Sequence, residues 1–317
     1  MPKLDPDERE LLFDPGVGVI GKSRPWFEAK AQSFGLCMNP GSPLGTSLQF
    51  LRELEQQAVT QGVMRFDSPE QGQSWCLQSV GMDYLTKTLH RGHARGLSAG
   101  QRYWQYLKAG NPLLTAPAGK RTDARDHSWE LVLASVAASF ASDVRLSEPD
   151  ITCMFEGQRV GLAGKVLYTR SERRFLDAIQ KGARQLEGSE AEVGFVVINL
   201  VEMFPHGRMF RNFRDGRVRV RAGLEIIGAW VDAFLTPYPV PQWSAHLRGM
   251  SKLLSVLMFV PTIAHLDGMD APVPYYRLHS FGIVGREERA RPFELALQSA
   301  FESVPGFVDL EASPTQN

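Results

Sequence analysis

The chain has 317 residues, 43% of them apolar and 22% charged, enough to bury a substantial core in one large domain or two of ordinary size. Its 35 basic residues are balanced by 35 acidic ones, so no overall excess points to a polyanionic partner, and local patches decide that question. The three cysteines, Cys37, Cys76 and Cys153, are odd in number and far apart, which excludes a disulfide framework or a zinc-ligand spacing and suits a reducing cytoplasm.

The first segment, Met1 to Glu10, is polar and acidic and has no basic flank leading into an apolar run, so a cytoplasmic protein without a secretory signal is expected. Residues 1–125 read as a mainly helical N-terminal region with long loops. Ser47 to Gln61 places Leu48, Leu51, Leu54 and Ala58 three or four apart, the spacing of an amphipathic helix. His90 and His93 lie three apart, but Gly92 and Gly96 argue for a loop there and against a metal-binding helix face. Ser98 to Ala109 predicts a helix opened by a capping serine. Pro40 to Pro43 and Pro112 to Thr122 are connectors, and the second is the better domain boundary.

Residues 126–220 are more regular. Asp126 to Ala141 predicts a helix with Asp126 or Ser128 as its cap. Val144 to Leu146 and Asp150 to Phe155 are short extended segments, Glu156-Gly157-Gln158-Arg159 a hairpin turn, and Val160 to Thr169 a strand. Ser171 to Leu186 predicts a helix ending near Gly188, and Val193 to Val201 is a valine-rich apolar run of the kind covered on both faces. The order helix, strand meander, helix, strand implies an α/β sandwich with a mixed sheet, in the α+β sense. Residues 221–317 read as a helical C-terminal region with one late strand. Ala222 to Phe234, Ser244 to Val260 and Arg291 to Ser303 are its helices and Tyr275 to Ile283 its strand. Leu253 to His265, broken by Pro261, is too short to span a bilayer and reads as a buried helix, so no membrane association is expected.

The densest chemical signal lies at Glu148-Pro149-Asp150-Ile151 and Gly161-Leu162-Ala163-Gly164-Lys165. An acid opens one strand and a lysine rides the next. Strand alternation puts Ala163 and Lys165 on one face, with Leu162, Gly164 and Val166 on the other. In this order, with Glu130 on the preceding helix and a glutamine on the following one, the chain resembles the PD-(D/E)XK nuclease superfamily, over about a quarter of its length.

That resemblance implies a restriction-endonuclease-like α-β-β-β-α-β core flanked by helical N- and C-terminal regions. It also implies a magnesium- or manganese-dependent endonuclease acting on DNA, with RNA the alternative substrate. Asp150 then matches the metal-binding aspartate, and Lys165 the active-site lysine. Glu130 matches a further acid that binds metal directly or through water, and Gln185, or less readily Gln180, the helix glutamine. Ala163 stands where the family has its second acid and cannot ligate. Three origins are compatible with it: an engineered replacement giving an inactive form, migration of the acid to Glu130 or Glu156, or a fold that binds without cleaving. The long flanks resemble effector nucleases of bacterial anti-phage defence, which implies a separately encoded helicase or ATPase as partner. The alternative is a catalytically inactive nuclease-fold protein that binds nucleic acid or scaffolds a complex.

Two basic stretches fit a nucleic-acid partner. Between His206 and Arg221, Arg208, Arg211, Arg214, Arg217, Arg219 and Arg221 face the single acid Asp215, with Phe210 and Phe213 interleaved. Arginine forks suit phosphates, and aromatic rings can stack on bases. Arg170, Arg173 and Arg174, followed by Lys181 and Arg184, lie just past the motif strand and could border the same groove.

Overall fold

In the computed structural model, residues 25, 27–33, 35, 41–61, 69–97, 101–109, 123–168, 171–200, 247, 249–265, 272–283 and 285–302 are described. The helices are α1 (Pro43–Gln61), α2 (Pro69–Ala94), α3 (Gln101–Ala109), α4 (Asp123–Ala137), α5 (Glu172–Gly188) and α6 (Glu287–Glu302). The strands are β1 (Ser142–Ser147), β2 (Asp150–Phe155), β3 (Gln158–Val166), β4 (Val193–Asn199), β5 (Leu253–His265) and β6 (Pro272–Gly282), and they form one six-stranded sheet in that spatial order. Strands β1 to β3 are an antiparallel meander, β3, β4 and β5 run parallel, and β6 turns back antiparallel to β5. This is a mixed α/β architecture.

The parallel pairing of β3 with β4 demands a crossover, and α5 supplies it across one face of the sheet. Every residue of β4 is buried, as expected of a strand covered on both sides. On the opposite face α4 and α6 pack, with α2 and α3 behind α4. Enclosed on both sides, α4 buries eleven of its fifteen residues and is apolar nearly all round. Its Trp129 stacks on Phe259 at 4.8 Å and donates its indole N–H to the Val197 carbonyl at 3.2 Å. Fully burying a side chain of this kind contributes at least roughly 1.5–3 kcal/mol.

By contrast α5 is strongly one-sided. Ser171 caps its first turn by accepting from the Arg174 amide, and Phe175, Ile179, Gly182, Ala183 and Leu186 form the buried stripe. Gly182 and Gly194 let this helix lie close to the sheet. A Cβ at Gly182 would meet Val196 at 2.8 Å and Ala163 at 3.2 Å, and one at Gly194 would meet Leu186 at 2.3 Å.

The structure departs from the sequence reading at three places. Leu253–His265 is strand β5, where a buried helix was expected. A run apolar on all sides does not show its period, and here the β-branched Val256, Val260, Thr262 and Ile263 and the open side of β4 decide the matter. The C-terminal region thus adds two strands to the sheet. His90 and His93 lie within α2. Gly92 does not break that helix, because a Cβ there would sit 2.5 Å from Ser135 Oγ and the glycine serves the close approach of α2 to α4. Asp126 and Ser128 are interior to α4, which starts at Asp123. The expected helix at 222–234 lies outside the described residues. Among the described residues no helix is long and apolar enough to cross a membrane.

Candidate functional site

The β2–β3 hairpin builds the site. Its register pairs Ile151 with Leu162 and Thr152 with Gly161, which sets Asp150 opposite Ala163 with Lys165 one pleat beyond. Ile151 and Leu162 point into the core on the α4 side. Asp150, Ala163 and Lys165 therefore share the face that α5 covers.

There the two functional groups meet. Lys165 Nζ donates to Asp150 Oδ2 at 2.8 Å and to the Gly164 carbonyl at 2.8 Å, and each charged side chain keeps only 15% of its surface. From α5, Gln185 Nε2 makes long contacts of 3.5 Å to Asp150 Oδ1 and to Glu148 Oε2. The Asp150 carboxyl is pushed up to about 6. Burial is the main cause, opposed by the charge and hydrogen bond of Lys165 and reinforced by the carboxylates of Glu130 and Glu148. A carboxylate perturbed by desolvation and held by one specific cation is the electrostatic profile of a functional site.

Glu130 reaches this site through its field. Its Oε2 is engaged by His127 Nδ1 at 3.1 Å, which raises the His127 pKa by that hydrogen bond. The His127 ring is stacked on Tyr106 at 3.9 Å and meets Tyr103 edge-on at 5.5 Å, so α3 of the N-terminal region holds the group that holds Glu130.

Ala163 is fully buried and packs beneath Gly182 and against Val196. A longer side chain at 163 would have to displace α5 or force apart Asp150 and Gln185. Packing thus accounts for the small residue, and an acid at this position is disfavoured by the shape around it. Glu156 sits in the hairpin turn, at the far end of β2 from Asp150 and away from the Asp150–Lys165 pair.

The structure therefore brings together Asp150, Lys165, Gln185 and the Ala163 methyl group, with Glu130 nearby. Gln180 bonds instead with Arg184, at 3.5 Å. Arg173 and Arg174 are exposed in the first turn of α5. Arg174, Lys181 and Gln185 recur at intervals of seven and four residues and share one side of that helix. Arg170 and the series Arg208, Arg211, Arg214, Arg217, Arg219 and Arg221 lie outside the described residues. Two participants escaped the sequence reading. Glu148 was visible in the Glu-Pro-Asp triplet, and His127 in its spacing of three from Glu130 on a helix.

No group of three or more His, Cys, Asp or Glu side chains able to hold a metal occurs among the described residues. The donors fit a cation only in a sparse form. Asp150 and Glu148 are two carboxylates linked by one amide, and the buried Oε1 of Gln185 has no hydrogen-bond partner. Magnesium keeps several waters and needs only one or two carboxylates beside a substrate phosphate. No family model, curated protein or solved structure matches the chain.

Proposed function

We propose that the chain is a metal-dependent nuclease of the restriction-endonuclease-like class that hydrolyses phosphodiester bonds in DNA. The observation that carries this reading is the convergence, on one sheet face, of the Asp150 carboxylate and the Lys165 ammonium at 2.8 Å, beneath a helix that brings Gln185 to the same carboxylate. The element order α4, β1, β2, β3, α5, β4 supports it as well.

Asp150 and Glu148 would hold Mg2+ or Mn2+, in place of the expected set of Asp150, Glu130 and position 163. A half-turn of the Gln185 amide would add its unpartnered oxygen. Such a cation, when bound, makes a more acidic water and offsets charge on the phosphoryl oxygens. Lys165, on its flexible stem, can pass its ammonium from Asp150 to a non-bridging phosphoryl oxygen and stabilise charge that develops there. Before a cation binds, Gln185 bridges the two carboxylates through its Nε2. His127 restrains Glu130 so that its negative field bears on Asp150 without occupying it. Arg173, Arg174 and Lys181, with Arg170 and the arginines of 208–221, would grip the sugar-phosphate backbone. A role as an anti-phage effector beside a helicase or ATPase rests on the resemblance in organisation alone.

The test is cleavage of labelled single- and double-stranded DNA with Mg2+ or Mn2+. Wild type should cleave. Asp150→Asn and Lys165→Ala should each lose at least a hundredfold, a barrier change of roughly 3 kcal/mol or more. If wild type cleaves neither DNA with either cation, the enzymatic reading fails. A second reading, binding without cleavage, is favoured by the burial of Ala163 under Gly182, which leaves the usual second acid no place. It predicts DNA binding by wild type that Asp150→Asn leaves intact.

A further inference from the structure

Helix α5 covers β3, β4 and β5 but ends at Gly188, so among the described residues no helix packs over β1 and β2 on that face. Between these strands and the end of α5 lies a cleft of about 350 Å³, near the lower bound of roughly 300–1,000 Å³ for small-molecule sites. Thr152 and Met154 form its floor, Arg145 and Arg159 flank it, and Glu148 joins it to the Asp150–Lys165 site. Thr152 follows Asp150 by two residues on the same strand face, a separation of about 7 Å.

The charges of this cleft say what it does not bind. Arg145 is committed to Asp143 through two nitrogens at 2.8 Å, and Arg159 to Glu190 at 2.9 Å. Each arginine faces its own carboxylate and Glu148 adds a third acid to the lining, so a phosphate would meet a neutral to negative surface. What remains is suited to a flat, uncharged ring. The two guanidinium planes are steadied by their carboxylates and can stack on a heterocycle, and the Met154 thioether makes favourable contacts with aromatic rings. The Ser147 and Thr152 hydroxyls, 3.0 Å apart, and Glu148 Oε1, the carboxylate oxygen other than the one at Gln185, supply hydrogen-bonding groups dominated by acceptors. A carboxylate acceptor suits the exocyclic amine of cytosine.

We infer that this cleft is a nucleobase subsite: it takes one unpaired, amine-bearing base and so sets the phosphate attached to that base beside Asp150 and Lys165. The inference rests on the nucleic-acid reading above and deepens it, because it makes single-stranded or locally opened DNA the substrate. A base inside a duplex stays stacked and paired and cannot enter without being turned out.

The experiment is fluorescence anisotropy of the full chain with labelled single-stranded oligo-dC, the same strand paired with oligo-dG, and the same strand carrying abasic positions. The single strand should bind roughly five- to a hundredfold tighter than the other two, the range expected for one or more stacked bases. Thr152→Trp, which fills the floor, and the surface variant Arg159→Ala should each bring the single strand close to the abasic level. Equal binding of single strand and duplex overturns this inference alone, as does an unchanged affinity in both variants. Absence of binding to all three DNAs overturns the nucleic-acid reading, and the inference with it.

Discussion

Replacing Lys165 with methionine keeps most of the side-chain volume and removes the one positive charge that, among the described residues, acts on Asp150. In the wild type Asp150 already stands at about 6 against an ordinary 3.8, although Lys165 opposes the rise. A carboxyl whose pKa is higher in the folded protein favours folding while protonated. That contribution is present below pH 3.8 and is lost as the pH climbs through about 6. The rise from 3.8 to about 6 corresponds to about 3 kcal/mol between the two limits. Without the ammonium, burial and the carboxylates of Glu130 and Glu148 act unopposed. Lys165→Met should therefore cost roughly 3–5 kcal/mol at pH 8, the range for stranding one member of a buried pair, and far less at pH 5. The double variant Asp150→Asn/Lys165→Met buries no charge and should return to within about 1 kcal/mol of wild type at pH 8. Urea denaturation of the three proteins at both pH values measures this. Equal losses at pH 5 and pH 8 in the single variant, or a double variant as unstable as the single one, would refute the coupling of burial and charge argued for this site.

Other consequences are equally direct. Ala163→Glu should not restore a missing ligand; it overpacks the contact with Gly182 and should lower stability by roughly 1–3 kcal/mol, so a variant with unchanged Tm and faster cleavage would contradict the packing account. Gly194→Ala places a methyl group 2.6 Å from the Gly161 carbonyl, where backbone cannot yield cheaply, and chemical denaturation should show a loss of at least about 2 kcal/mol. Millimolar Mg2+ should raise the Tm of wild type at pH 8 and leave Asp150→Asn unmoved, since a ligand stabilises only the state that binds it; an equal rise in both proteins would place the cation elsewhere.

The hairpin carrying Asp150 and Lys165 was legible because its information is local. A two-residue turn at Glu156-Gly157, with both residues at positive φ, sets the β2–β3 register, and alternation does the rest. The stripe of α5 and the apolar run of β4 were legible for the same reason. β5 was not, because thirteen largely apolar residues look alike whether they wind or extend, and the neighbour that chose for them is β4. Glu148 and His127 were overlooked for a related cause. Their partners are Gln185, thirty-seven residues away, and the tyrosines of α3, which no periodicity connects to them.

By itself the order of residues determined that an acid and a lysine stand on the same side of two paired strands, since pleating admits no other outcome once the turn is made. Only the tertiary structure decided what that side meets. The glycine at 182 lets α5 come down onto Ala163, which closes off the position of a second acid and strips water from Asp150. Register arises between neighbours in the chain. Desolvation arises from whatever else packs nearby, and that is why the site's chemistry became readable only after its surroundings were in place.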